Sequence, residues 1–245
     1  MVNTRAVCVA TMVLRLCGAC AAQKPNDWAF QNAMIGPDSP IEMKAGSTYQ
    51  ARVVYPVPDG PLYPLKAKVT WSIEKLVKGI SIDPESGKIE VQAEVAHGTS
   101  ATVLANVENG RRKLTAKLYV FRPEVDPLIG NWSVDSKVAC GQSGEMQVPK
   151  VPPSGLAGPE WKFHADGQFW IGRAMGIAAR IFLSGKYVLD VKGHAVVLNP
   201  EWPAKKAVSH WSYSLEENGA KVLLRPLDAE YGSASGCSYV LERRR

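Results

Sequence analysis

Histidine is scarce in this chain, with four among 245 residues. None of His97, His164, His194 and His210 stands at a metal-ligand spacing from another ligand type, so a zinc centre finds no support. A hydrolase triad is equally poorly supplied. Gly232-Ser233-Ala234-Ser235-Gly236 resembles a nucleophile elbow only superficially, because its centre is Ala234 rather than serine. Phosphate-binding loops and dinucleotide fingerprints are missing. No cofactor is therefore expected, and an enzyme working at a barrel mouth is the weakest functional reading.

Long hydrophobic runs are also missing. The longest, Ala6 to Leu14, ends at Arg15 and is too short for a spanning helix, which needs about 20 residues. The expected mature chain has no transmembrane span. No amphipathic helix of ten residues stands out. The net charge is +6, but the excess is not organised as a basic stripe with interleaved aromatics, so nucleic acid is excluded as a partner. The densest cluster, Arg111-Arg112-Lys113, follows Asn109-Gly110 and reads as a solvated hairpin tip.

What is present begins with an export leader. Arg5, the short apolar run, and the small residues Gly18, Ala19, Cys20, Ala21 and Ala22 give the order of charge, core and cleavage region of a secretory signal. Residues 1–21 are read as the signal peptide, and the protein as periplasmic or secreted. Two cleavage routes stay open. Ala19-Cys20-Ala21 suits an ordinary signal peptidase. Gly18-Ala19-Cys20 resembles the end of a bacterial lipobox, which would lipidate Cys20 and anchor the chain to a membrane. Cys17-Gly18-Ala19-Cys20 is a C-x-x-C, but it lies in the leader and is not read as a redox site.

Five cysteines occur in all, and Cys8, Cys17 and Cys20 belong to that N-terminal region. Cys140 and Cys237 are the others. An oxidising compartment would pair them as one disulfide; two buried free thiols are the alternative.

The remainder reads as short alternating segments between turn dipeptides, the pattern of sandwiches and barrels. Residues 22–39 are read as a linker. Thr48 to Val57 alternates, as does Lys66 to Glu74, with Trp71 inward. Asp83-Pro84 starts a turn in which Gly87 supplies positive φ. Asp83 and Glu85 are too few oxygen ligands for calcium. Asn109-Gly110 is a hairpin dipeptide. In sequence order VTWSIE, GISIDPESGKIEV, GTSATVLANVENG and LTAKLYV resemble the bacterial Ig-like domains of surface and periplasmic proteins, over residues 40–122. That resemblance implies a small β-sandwich acting as spacer or adhesion module.

After the prolines of 123–127 a second series of hairpins follows, with turns at Asp166-Gly167, Lys192-Gly193 and Asn218-Gly219. Gly130-Asn131-Trp132, the F-x-x-D-G-x-F of Phe163 to Phe169, and the terminal strand Tyr239 to Arg243 together resemble lipocalin-like barrels over about residues 126–243, within a second domain read as 123–245. The fold expected is therefore all-β: an Ig-like β-sandwich followed by a small lipocalin-like up-and-down β-barrel. The resemblance implies that Trp132 plugs one barrel end and that Arg243 covers it. In a closed barrel the first and last strands are neighbours, which would bring Cys140 and Cys237 together.

Five of the seven tryptophans fall in this second region. Trp132 and Trp211 read as core from their strand context. Trp161, Trp170 and Trp202 are the candidates for contacting a ligand or partner, with His210 as a further residue at the barrel mouth. The function expected is that of a non-enzymatic envelope protein, binding an envelope protein or a small apolar ligand through the barrel. A purely structural or adhesion protein is the alternative.

Overall fold

A computed structural model describes residues 27–37, 39–57, 61–140, 160–175, 178–202, 208–227 and 237–244. The segment read as a leader, with Cys20, lies outside them, as do residues 141–159 between Cys140 and Glu160. The chain is almost entirely β. A short helix α1 (Asp27–Gln31) precedes β1 (Met34–Gly36), β2 (Ile41–Lys44), β3 (Thr48–Gln50), β4 (Arg52–Pro56) and β5 (Leu62–Pro64). Next come β6 (Val69–Ile73), β7 (Ile80–Ile82), β8 (Lys88–Val91), β9 (Ser100–Val107) and β10 (Arg112–Phe121). These strands form three small sheets, ordered β1-β4-β5, β2-β10-β9-β6 and β3-β8-β7.

The sheets share one core, an Ig-like type of packing. Alternation along β9 buries Ala101, Val103, Ala105 and Val107, and along β10 it buries Leu114, Ala116, Leu118 and Val120. Ile41 and Trp71 extend this face on the flanking strands β2 and β6, and Ile89 and Val91 of β8 close on it from a second sheet. Asp83 Oδ1 accepts the backbone N–H groups of Glu85 and Ser86, which shapes the β7–β8 turn. Gly87 completes it at φ 73°. A Cβ there would meet the Trp71 indole at 2.7 Å, so the turn and the core both require glycine.

Three expectations change here. The stretch read as linker is partly structural: Ala29, Ala33 and Ile35 are buried in the first core. Arg112 does not point from a solvated tip. Its guanidinium donates to the carbonyls of Phe30 and Ala33, while Arg111 lies over the Phe30 ring at 5.2 Å. The single strand expected over Thr48–Val57 is two strands in different sheets, with buried Ala51 at the change.

β11 (Gly130–Cys140), β12 (Glu160–Phe163), β13 (Gln168–Met175), β14 (Ala178–Asp190), β15 (Ala195–Trp202), β16 (Ser209–Glu216), β17 (Lys221–Pro226) and β18 (Cys237–Arg243) follow in order around a closed antiparallel barrel. The β11–β18 pairing closes it. Among the described residues the interior positions carry large apolar side chains. Phe163, Phe169, Leu198, Val222, Leu224 and Leu241 are all at or below 2% exposure. Trp161, Trp211 and Tyr239 meet inside with ring centroids 5.5 to 6.1 Å apart. Such mutual edge and tilted contacts suit aromatic packing.

The two units meet at the barrel end that carries the β12–β13 turn. Between them residues 122–126 form a helical turn, with the N–H groups of Val125 and Asp126 both donating to the Arg122 carbonyl. The Arg122 side chain in turn donates to the carbonyls of Val95 and Ala93.

Candidate functional site

The barrel end facing the first unit is sealed from within. Trp132 is fully buried, and its indole N–H donates to the Leu128 carbonyl at 2.6 Å. Arg243 lies over the Trp132 ring at 4.3 Å. Its fork donates to the carbonyls of Ile129 and Pro127, each at 2.7 Å, and its Nε to Gly219 at 3.2 Å. Gly130, at φ 134°, leaves the space this needs, since a Cβ would stand 2.9 Å from the guanidinium. Burial pushes the Arg243 pKa below its ordinary value, and the nearby Asp126 carboxylate pulls it back up.

Beside this seal runs a polar seam. The Tyr187 hydroxyl donates to Asp126 at 2.7 Å and to the His164 carbonyl at 3.0 Å. Burial raises the Asp126 pKa above the usual carboxylate value; the hydrogen bonds from Tyr187 and Leu128 oppose it. Burial first, then the Asp126 charge, push the Tyr187 phenol well above its usual range, so it stays a neutral donor. A cleft of about 550 Å³ opens next to the seam, lined by Lys44, Phe121, Glu124, Leu215 and Arg243 among others. The Arg243 fork there is already engaged by backbone carbonyls, so the groups converging on the cleft serve the seal.

The wall of the barrel offers a different kind of surface. Trp170 on β13 pairs with Ser184 on β14, and Ser184 pairs with Trp202 on β15. All three point outward, since their neighbours Phe169 and Gly185 are buried. Trp202 is 54% exposed and Trp170 is part-buried. An irregularity in the β14–β15 pairing produces this row. Gly185 pairs with Pro200, yet Ser184 pairs with Trp202, so Glu201 is the extra residue. Unbroken alternation from Leu198 would have turned Trp202 inward; one inserted residue reverses the face. One row along the same wall, Gln168, Lys186 and Asn199 are paired in the same order. Lys186 Nζ lies 3.5 Å from Glu201 Oε1.

The candidate residues read from sequence thus divide. Trp170 and Trp202 come together on one wall. Trp161 does not join them: it is 4% exposed and packs inside against Trp211 and Tyr239. Alternation opposite buried Trp132 and part-buried Ile171 turns it into the barrel. His210 faces outward opposite Val197 and does not line the mouth. Cys140 and Cys237 are Cα partners across β11 and β18. A further aromatic group escaped notice in the sequence. Tyr55 and Tyr63 stack at 6.1 Å, and Trp28 meets Tyr55 edge-on at 6.4 Å. They share no motif: Tyr55 and Tyr63 face each other across the β4–β5 pairing, and α1 brings Trp28 to them. Among the described residues no group of three His, Cys, Asp or Glu converges as a metal site, and no helix is long and apolar enough to cross a membrane.

No family model matches the chain, and no curated protein matches it. Solved structures give only remote likenesses. A putative alpha-galactosidase from Bacteroides fragilis is 19% identical over 40% of this chain and 19% of its own length, with a TM-score of 0.25. Domains 5–6 of the surface-layer protein SbsC are 11% identical, covering 87% of this chain and 86% of that one, at 0.27. Extracellular cadherin domains 1–4 of protocadherin gamma B7 are 12% identical, covering 87% and 49%, also at 0.27. At such scores none of these carries an argument about function.

Proposed function

We propose that the protein is an exported, non-enzymatic binding protein of the cell envelope. A small lipocalin-like barrel engages a protein partner or ligand, and the Ig-like unit serves as its spacer. The observation that supports this is the Trp170–Ser184–Trp202 row on the outer wall. Soluble proteins rarely leave large aromatics clustered on a sheet face unless the face meets something. This reading favours the wall because the described interior side chains pack against one another. The Cys140–Cys237 pairing in register is consistent with a disulfide formed after export, at a separation that sequence distance alone would not suggest. Whether Cys20 carries a lipid is decided by mass spectrometry of the mature N-terminus.

The test is capture from envelope extract by immobilised protein. We expect specifically retained material with the native chain and its loss with the W170A/W202A double variant. Equal retention by both would remove the wall from the reading.

A further inference from the structure

We infer that the outer wall of the barrel binds an extended β-1,4-linked polysaccharide, with one sugar face on Trp170 and another on Trp202. This rests on the proposal that the wall is the binding face and specifies what it binds. Three features of the wall lead to it.

The first is spacing. Trp170 and Trp202 stand two strands apart with Ser184 between them. Two strand spacings place their backbones about 10 Å apart, roughly one disaccharide of an extended chain. Pyranose rings present flat C–H faces that stack on aromatic rings, and alternate rings of an extended chain would meet the two indoles.

The second is the polar row beside it. Gln168, Lys186 and Asn199 run parallel to the aromatic row on the same face. Two amides provide both donors and acceptors, which is what sugar hydroxyls require. The third is charge. Lys186 has Glu201 within 3.5 Å, and Lys162, paired with Trp170 on β12, is the other cation beside the rows. A nucleic acid would want a cationic groove beneath its stacked bases. A small apolar ligand would want a concave pocket, whereas the outside of a barrel is convex. A neutral, elongated, hydroxyl-rich polymer fits both the shape and the charge.

The inference is tested by pull-down on insoluble chitin, cellulose and purified peptidoglycan sacculi, using the full chain. We expect retention on at least one of the three. W170A or W202A should weaken it about tenfold, W170A/W202A should abolish it, and W170F/W202F should keep most of it. Matching thermal melts for each variant establish that the barrel remains folded. No retention of the native chain on any of the three overturns the inference, as does equal retention by W170A/W202A. If the native chain ignores all three glycans, yet the double variant still loses capture from envelope extract, the wall remains the binding face and only the glycan falls. If the double variant changes neither, both readings fall.

Discussion

Nδ1 of His164, in the β12–β13 turn of the barrel, lies 3.1 Å from Oε1 of Glu42 on β2 of the sandwich. The tautomer that carries Nδ1–H donates to the carboxylate. The same oxygen accepts the backbone N–H of Ala165 at 2.8 Å. Both side chains are nearly covered, at 13% and 12% exposure. The connection between the units is short and contains two prolines, and this contact and the Arg122 turn join them across it.

Glu42→Ala should therefore uncouple the two units. Losing one acceptor that serves two partly buried donors costs about 1–3 kcal/mol. The expected result in calorimetry is one transition splitting into two, with a larger radius of gyration by X-ray scattering. Glu42→Gln, which keeps an acceptor oxygen, should behave closer to the native chain. An unchanged melt in Glu42→Ala would show that the contact does not couple the units.

The buried carboxyl of Asp126 predicts a pH dependence of stability. Its folded pKa is raised above the ordinary 3.8, chiefly by burial. The folded state thus favours the protonated form. That contribution is complete below about pH 3.8 and is lost as pH rises through the raised folded value. Asp126→Asn stays neutral throughout, so its stability relative to the native chain should improve as pH climbs from 3.8 towards neutrality. Urea titrations at several pH values measure the difference, in which the other carboxylates cancel. A difference independent of pH would contradict the burial.

Arg243 should be a stability residue and Lys a poor replacement for it. Arg243→Ala removes the cation over Trp132 and leaves three carbonyls without their donor, a loss of about 2–4 kcal/mol. Arg243→Lys keeps the charge but cannot reproduce the fork. We expect both to lower the barrel's melting temperature, Ala more than Lys, with Trp132 fluorescence shifted to the red.

Cys140 and Cys237 pair across the barrel's closing strands. A disulfide there would close a loop of about 100 residues and stabilise the fold by roughly 4–5 kcal/mol in the chain-entropy model. Non-reducing peptide mapping of exported protein should yield the linked pair, and dithiothreitol should lower the melting temperature. Double substitution to serine should abolish the effect of the reductant. Absence of the linked peptide would return both residues to free thiols.

Local chemistry was legible in the sequence because neighbouring residues decide it. Period-two alternation put Trp71 inside, and Asp83 and Gly87 defined their turn, since side-chain hydrogen bonding and the freedom of glycine act over a few residues. The all-β class followed from many such segments. The lipocalin-like resemblance drew attention to Trp132 and Arg243 together, although nothing in their spacing along the chain placed one ring over the other.

Tertiary structure decided the rest. The extra residue at Glu201 turns Trp202 outward, and no propensity marks where a strand will gain a residue, because the partner strand sets the register. Trp161 looked as available as Trp170 until the pairing with Trp132 turned it inside. Glu42 and His164 are 122 positions apart, each an ordinary polar residue on its own segment. The sequence by itself determined an all-β chain of alternating strands, with its turns. Which aromatics reach solvent, and which polar groups join the two units, depended on long-range pairing, where a shift of one residue exchanges the buried face for the exposed one.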